Sequence, residues 1–413
     1  MLRNRLSPRL AALFFPSLKT KLLILLIVFI TSLGIGLRLY AAPRLSIDVD
    51  ERIYLQSALK YANFMRDGQW NMLVWYDYNS EHPVFYKIVY GVALLTQPRL
   101  DFFDTQLFID GKAMYKVKDS LWGLTCRYVS VIFGGLTILA LAVVNPIAGL
   151  YFAIDTLAVQ FNSSLFLESL PALTSFLCAL AYLHWYQHIY RKSRPLVEDF
   201  IWLGLSAGFL GMSAASKYTY ATVGLAIVIH FAGGVILKKN RPADLWKLAA
   251  WGLAALLIFF VCDPYLWKHP FSRLLATLNF HLQHTQSDRV TTHQYGFYQP
   301  FIWLSGPNYK IPGNANAIIP IKLDTLIGLL ALIGLPRLRT RQPFYFIWLV
   351  TGLVVMMLWP TKWLQYTMIV MVPVCASAAM GTTWLFDLLK NSLISWRNRP
   401  KKASAMPGLS PGK

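Results

Sequence analysis

The chain has 413 residues, is 56% hydrophobic with only 14% charged side chains, and carries a formal net charge of +20. That much apolar residue exceeds what one soluble core of this size requires, and the natural place for the surplus is a bilayer. The basic residues stand in short clusters between apolar runs, where they set membrane orientation, and this excludes nucleic acid as the partner the charge would otherwise suggest.

Apolar runs read against about 20 helical residues per crossing fall near residues 21–40, 121–143, 145–162, 168–188, 200–215, 218–237, 245–263, 321–336, 344–360 and 364–390. They predict an all-α polytopic membrane protein of about ten transmembrane helices, its transmembrane domain over 21–396. A cytoplasmic start, 1–20, precedes it and a basic disordered tail, 397–413, follows. The first run, Leu22 to Leu37, also fits a cleavable signal peptide, because a basic start precedes it and Ala41-Ala42 follow. Arg38 interrupts that pattern, and the many later runs favour a retained helix with Lys21 and Arg38 snorkelling at its ends.

With the N-terminus in the cytoplasm, Arg3, Arg5, Arg9, Lys19 and Lys21 share a side with Arg191, Lys192, Arg194, Lys238, Lys239, Arg241 and Lys247. Arg337, Arg339, Arg341 and the tail residues Arg397, Arg399, Lys401 and Lys402 fall there too. Cys126, Cys178, Cys262 and Cys375 all lie in apolar segments without zinc-type spacing, so no disulfide is expected.

Two long segments then face the non-cytoplasmic side, 41–120 and 264–320. The first holds Asp48, Asp50, Glu51, Asp67, Asp77, Glu81, Asp101, Asp104, Asp110 and Asp119, ten of the nineteen acids, a concentration that also suits a solvated loop. Ile53, Leu55, Leu59, Tyr61, Ala62 and Met65 give its early part a helical apolar stripe, expected along the membrane surface. Trp70, Trp75, Tyr76 and Tyr78 suit headgroup depth.

Asp48-Val49-Asp50-Glu51 opens that helix just outside the first span. Its carboxylates suit a general base that takes an acceptor's proton, or an N-terminal helix cap. Glu81-His82-Pro83-Val84-Phe85-Tyr86-Lys87 follows thirty residues on. An acidic pair after the first span and a later His-Pro-Pro-Leu-x-Lys type motif mark glycosyltransferase family 39 of the GT-C superfamily, and this chain resembles that family. Asp50-Glu51 is similar to the pair and His82-Pro83 with Lys87 to the motif, Val84 standing for the usual second proline and Phe85 for the leucine. Arg127-Tyr128-Val129-Ser130, Ser216-Lys217-Tyr218-Thr219 and Lys362-Trp363-Leu364-Gln365-Tyr366 resemble later family elements.

The resemblance implies a GT-C fold and an inverting transfer of sugar from a polyprenyl-phosphate donor to an acceptor hydroxyl. Asp50 would be the general base, with Glu51 and Glu168 positioning groups. His82 would hydrogen-bond substrate or brace the loop, Lys87, Arg127 and Lys217 would contact phosphate, and Lys362, Gln365 and Tyr366 would line the cavity. Four cations at non-cytoplasmic helix ends suit an anionic leaving group, although a lysine there also snorkels. The acceptor, whether protein, lipid or glycan, is open. So is a metal: Asp48 with Asp50, or His281 with His284 one turn apart, are candidates for a divalent cation. The resemblance further implies the plasma membrane of a prokaryote. The rival function is a secondary transporter or flippase, which predicts repeated halves and broken helices.

Overall fold

The computed structural model describes residues 17–100, 120–189, 196–293, 295–306 and 323–397, and among these every regular element is a helix. Arg3, Arg5, Arg9, Arg191, Lys192, Arg194, the acids Asp101, Asp104, Asp110 and Asp119, and the tail beyond Arg397 lie outside the described residues. The elements are α1 (Leu18–Ala41), α2 (Val49–Arg66), α3 (Phe85–Leu94), α4 (Leu121–Val144), α5 (Pro146–Ile154), α6 (Thr156–Phe161), α7 (Ser169–His188) and α8 (Leu196–Ser216). Then come α9 (Thr222–Ile236), α10 (Leu245–Cys262), α11 (Pro270–His284), α12 (Gln299–Ser305), α13 (Asp324–Arg341), α14 (Pro343–Leu358) and α15 (Met368–Arg397).

Among the described residues, five segments are long and apolar enough to cross a membrane: Leu18–Ala41, Leu121–Val144, Tyr218–Ile236, Pro242–Cys262 and Leu364–Ser395. The runs predicted at 168–188, 200–215, 321–336 and 344–360 coincide with α7, α8, α13 and α14. The run at 145–162 departs from expectation, being two short helices broken at Asp155. At 1.5 Å rise per residue the first of them reaches only about 13 Å, well short of a hydrocarbon core.

The break has an identifiable cause. Asn145 caps the amides of Ile147 (3.0 Å) and Ala148 (3.2 Å) to start α5, with Pro146 at its first position. Asp155 is extended there and accepts from the Ala158 amide (2.8 Å), starting α6 afresh. The carbonyls orphaned at the end of α5 find Arg38: its guanidinium donates to Phe152, Ala153 and Gly34, each at 3.0 Å. Arg38 is therefore fully buried rather than snorkelling, because the helix break offers it acceptors that an interface would otherwise supply. Asp324 completes the cluster, accepting from the Thr156 amide (2.8 Å) and hydroxyl (2.6 Å), with the Asp155 carboxyl close by. Asp155, whose partners the sequence does not identify, thus sits among Asp324, Arg38 and its own cap.

Lipid tails are as apolar as leucine, so helices in a membrane associate through close packing and polar contacts. The pairing of α13 with α15 follows this rule: a side chain at Gly334 would collide with the Ser377 carbonyl and one at Gly381 with that of Leu330, while the Ser377 hydroxyl donates to Ala331 (2.6 Å). The apolar stripe of α2 also differs from expectation. Leu55, Leu59, Tyr61 and Ala62 are buried, and α2 packs on α3, so protein rather than the membrane surface covers the stripe. Tyr90 ties α3 to the bundle, its hydroxyl lying between Ser130 of α4 (2.8 Å) and Ser169 of α7 (3.1 Å). Tyr90→Phe removes both links and should cost about 1 kcal/mol, read as a lowered unfolding temperature in detergent.

Candidate active site

One end of the bundle gathers the C-terminal ends of α1, α8, α10 and α14 and the N-terminal ends of α4, α7 and α15. Contacts across these ends join the residues singled out from sequence. Asp48 and Glu51 form a reciprocal cap on α2: Asp48 Oδ1 accepts from the Asp50 amide (2.9 Å) and Glu51 Oε1 from that of Asp48 (3.3 Å). Glu51 is fixed further. Arg127 reaches it bidentately, Nη2 to Oε1 at 2.7 Å and Nε to Oε2 at 2.9 Å, and the Leu165 amide donates to Oε2 at 2.8 Å. The same guanidinium donates to the carbonyls of Ala42, Leu45 and Ser46. Glu51 and Arg127 are both buried, and together they clamp the chain after α1 to α4.

Asp50 is half-buried and sits one turn before Tyr54. It lies within electrostatic reach of Tyr54, Glu168 and Tyr366. Glu168, at the start of α7, forms a buried ion pair with Lys217, and the Lys217 ammonium stands 4.8 Å from the centre of the Tyr366 ring. Among the described residues, the second carboxylate oxygen of Glu168 has no hydrogen-bond partner. Gln365 is half-buried beside Tyr366 on the turn Leu364–Thr367.

The His82 loop joins this group through Tyr54, whose ring meets His82 edge-on with centroids 5.8 Å apart. The loop turns at Asn79, a non-glycine residue at φ +58°, which the short polar side chain tolerates. Asn79 accepts from the Tyr86 hydroxyl (2.7 Å) and donates to Glu81 (2.7 Å). Lys87 is buried beneath the turn and donates to the carbonyls of Asn79 (2.6 Å), His82 (3.2 Å) and Tyr78 (3.4 Å). Burial pushes its ammonium down to about 8, with Asp263 and Glu81 opposing that shift. Asp263, buried just past α10, accepts from the Val84 amide at 3.3 Å.

Lys217 therefore pairs with Glu168 beside the Tyr366 ring and stands within electrostatic reach of His82. Lys87 and Arg127, both expected to contact phosphate, have their donors directed at carbonyls and at Glu51. Lys362 donates to the Trp359 carbonyl (2.8 Å) and lines a shallow hollow with His293, Tyr295, Pro360 and Trp363. His281 and His284 are turned to different partners, His281 to the Glu81 carbonyl (3.2 Å) and His284 to the Phe280 and Trp363 rings. Among the described residues no three His, Cys, Asp or Glu side chains gather as a metal-holding group. Tyr54 and Asn79 are site residues that sequence reasoning missed. One-turn spacing from Asp50 was the available signal for the first.

Burial, reinforced by Lys217, His281 and Lys87, pushes the His82 imidazole well below its ordinary 6.5, and burial also lowers His281. An unfolded chain binds these protons near pH 6.5 while the folded one stays neutral, so stability is lost as pH falls below that point. The unfolding temperature should drop from about pH 7 to about pH 5, and His82→Gln should flatten that slope.

No family model and no curated protein matches the sequence. Two crystal structures of ArnT from Cupriavidus metallidurans share the fold. The apo structure superposes with a TM-score of 0.51 at 14% identity, and the structure bound to undecaprenyl phosphate with a TM-score of 0.54 at 13% identity. Each match covers 92% of this chain and 64% of the ArnT chain, so this chain spans less than two thirds of that protein's length. The fold of this chain is thus the all-helical membrane fold that these ArnT structures have.

Proposed function

We propose that this chain is a membrane glycosyltransferase that moves a sugar from a polyprenyl-phosphate donor to an acceptor hydroxyl on the non-cytoplasmic face. The observation that carries this is the convergence, at one end of the bundle, of Asp50, His82, Glu168, Lys217 and Tyr366 from segments far apart in sequence. The fold supports it, since one of the ArnT structures sharing it is bound to undecaprenyl phosphate.

Asp50 accepts the acceptor's proton while the acceptor oxygen attacks the anomeric carbon. The bond from that carbon to the phosphate oxygen breaks, its electron pair leaves with the phosphate, and the configuration inverts. Lys217, with His82 as a neutral donor, takes up the developing charge. Lys87 and Arg127 act through the backbone they hold, and Glu51 through Arg127. Gln365 and Lys362 line the approach on the side of Tyr366.

The broken helix at Asp155 is the kind of feature a secondary transporter uses for its substrate. Here the break is closed by the Arg38 guanidinium and the Asp324 carboxylate, with all three residues buried. A locked break favours the enzyme over the transporter. Incubating purified protein in lipid with a panel of polyprenyl-phosphate sugars and a crude envelope acceptor should release polyprenyl phosphate from one of them. Movement of the donor across the bilayer without release would favour the flippase instead.

A further inference from the structure

The helix α11 leaves the end of α10 through the turn Pro264–Leu266. Three stripes run along it at the helical period. Arg273, Thr277 and His281 face the loop before α3: Arg273 donates to the Val74 carbonyl (2.8 Å), Thr277 to that of Ser80 (3.3 Å), and His281 contacts that of Glu81 (3.2 Å). Phe271, Leu274, Leu275, Leu278 and Leu282 form a second stripe, exposed along its whole length, with Phe271 at 88%. Ser272, Asn279 and Gln283 form a third, also exposed. Two exposed stripes of opposite chemistry on one helix describe an element lying at the boundary of oil and water, since solvent on both would leave the leucines wet and protein on both would bury the amides.

What covers the leucines follows from the neighbouring helix. The helix that α11 follows, α10, also leaves Leu253, Leu256, Leu257 and Val261 open, and it is a membrane-crossing segment by length and composition. Between the two stripes Trp267 folds back, its indole nitrogen donating to the Phe260 carbonyl (2.7 Å), and Lys268 stands 5.3 Å from the exposed Trp75 ring. Indoles beside a cation mark headgroup depth. We propose that α11 is an interfacial helix whose leucine stripe is covered by phospholipid acyl chains of the leaflet at the site end of the bundle, while its inner stripe latches the loop that carries Glu81 and His82. The leaflet then forms the outer wall of that loop.

The test needs no activity, so it is independent of the catalytic proposal. In full-length protein carrying Cys262→Ser, single substitutions Leu275→Cys, Leu278→Cys, Asn279→Cys and Gln283→Cys are labelled with a small fluorophore and placed in nanodiscs of phosphatidylcholine and phosphatidylglycerol. Shallow nitroxide-labelled lipid should extinguish emission from the probes at 275 and 278 and leave those at 279 and 283 bright, with aqueous iodide giving the reverse. Iodide quenching of all four would overturn the proposal in favour of a solvated helix. Probes at 275 and 278 shielded from both quenchers would overturn it in favour of a protein cover, a second copy or another segment of the chain.

Discussion

Asp50→Asn should lower the release of polyprenyl phosphate by about 10²- to 10⁴-fold, the usual contribution of a positioned general base, while leaving the unfolding temperature unchanged. The substitution is isosteric and removes the charge and, with it, the ability to take a proton. The helix cap does not depend on it, because Asp48 and Glu51 make that cap. Glu168 cannot readily substitute as base, since one of its oxygens is committed to Lys217. Placing the amide within reach of Tyr54, Glu168 and Tyr366 also leaves Lys217 and the phosphate side intact, so donor binding should survive, and the loss should fall on kcat rather than on KM. An Asp50→Asn variant that transfers sugar at the wild-type rate would remove Asp50 from the reaction altogether.

The architecture was legible because the information is local. Apolar runs of crossing length announce helices one by one, and Ser17, Asn145 and Pro146 mark starts that a reader of caps can see. The break at Asp155 was not legible. An apolar run containing one acid looks like a span with a costly residue, and only the arrival of Arg38 and Asp324, from positions more than a hundred residues away on either side, makes the break stable. The site divides the same way. Residue types and their grouping at one end could be expected from motif and charge, but the division of labour among cations could not, because whether an ammonium meets substrate or a carbonyl depends on where the backbone turns. Lys87 is the clearest case: the Asn79 turn brings three carbonyls over it. Val84, where the resembling family has proline, shows a compensation invisible in sequence, since its amide, which a proline would lack, is the group that Asp263 holds.

Glu51→Gln, one residue along, should do the opposite of Asp50→Asn: it should unfold the protein more easily, by about 3–5 kcal/mol, and lose activity only as a consequence. Removing one charge of a buried, bidentate pair leaves the other uncompensated, and Arg127 at 1% exposure has no water to turn to. Three carbonyls remain to Arg127, but they satisfy its protons and leave its charge. The Leu165 amide, 2.8 Å from Glu51 Oε2, keeps an acceptor in a glutamine only if the amide group turns its oxygen that way, and that orientation points the NH₂ at the guanidinium. Both arrangements are worse than the native one. Pairing Glu51→Gln with Arg127→Met should recover part of the loss, because the double variant buries neither charge. The readout is the temperature of half-unfolding in detergent for the two singles and the double. A Glu51→Gln protein as stable as wild type but inactive would instead return Glu51 to the chemistry alongside Asp50.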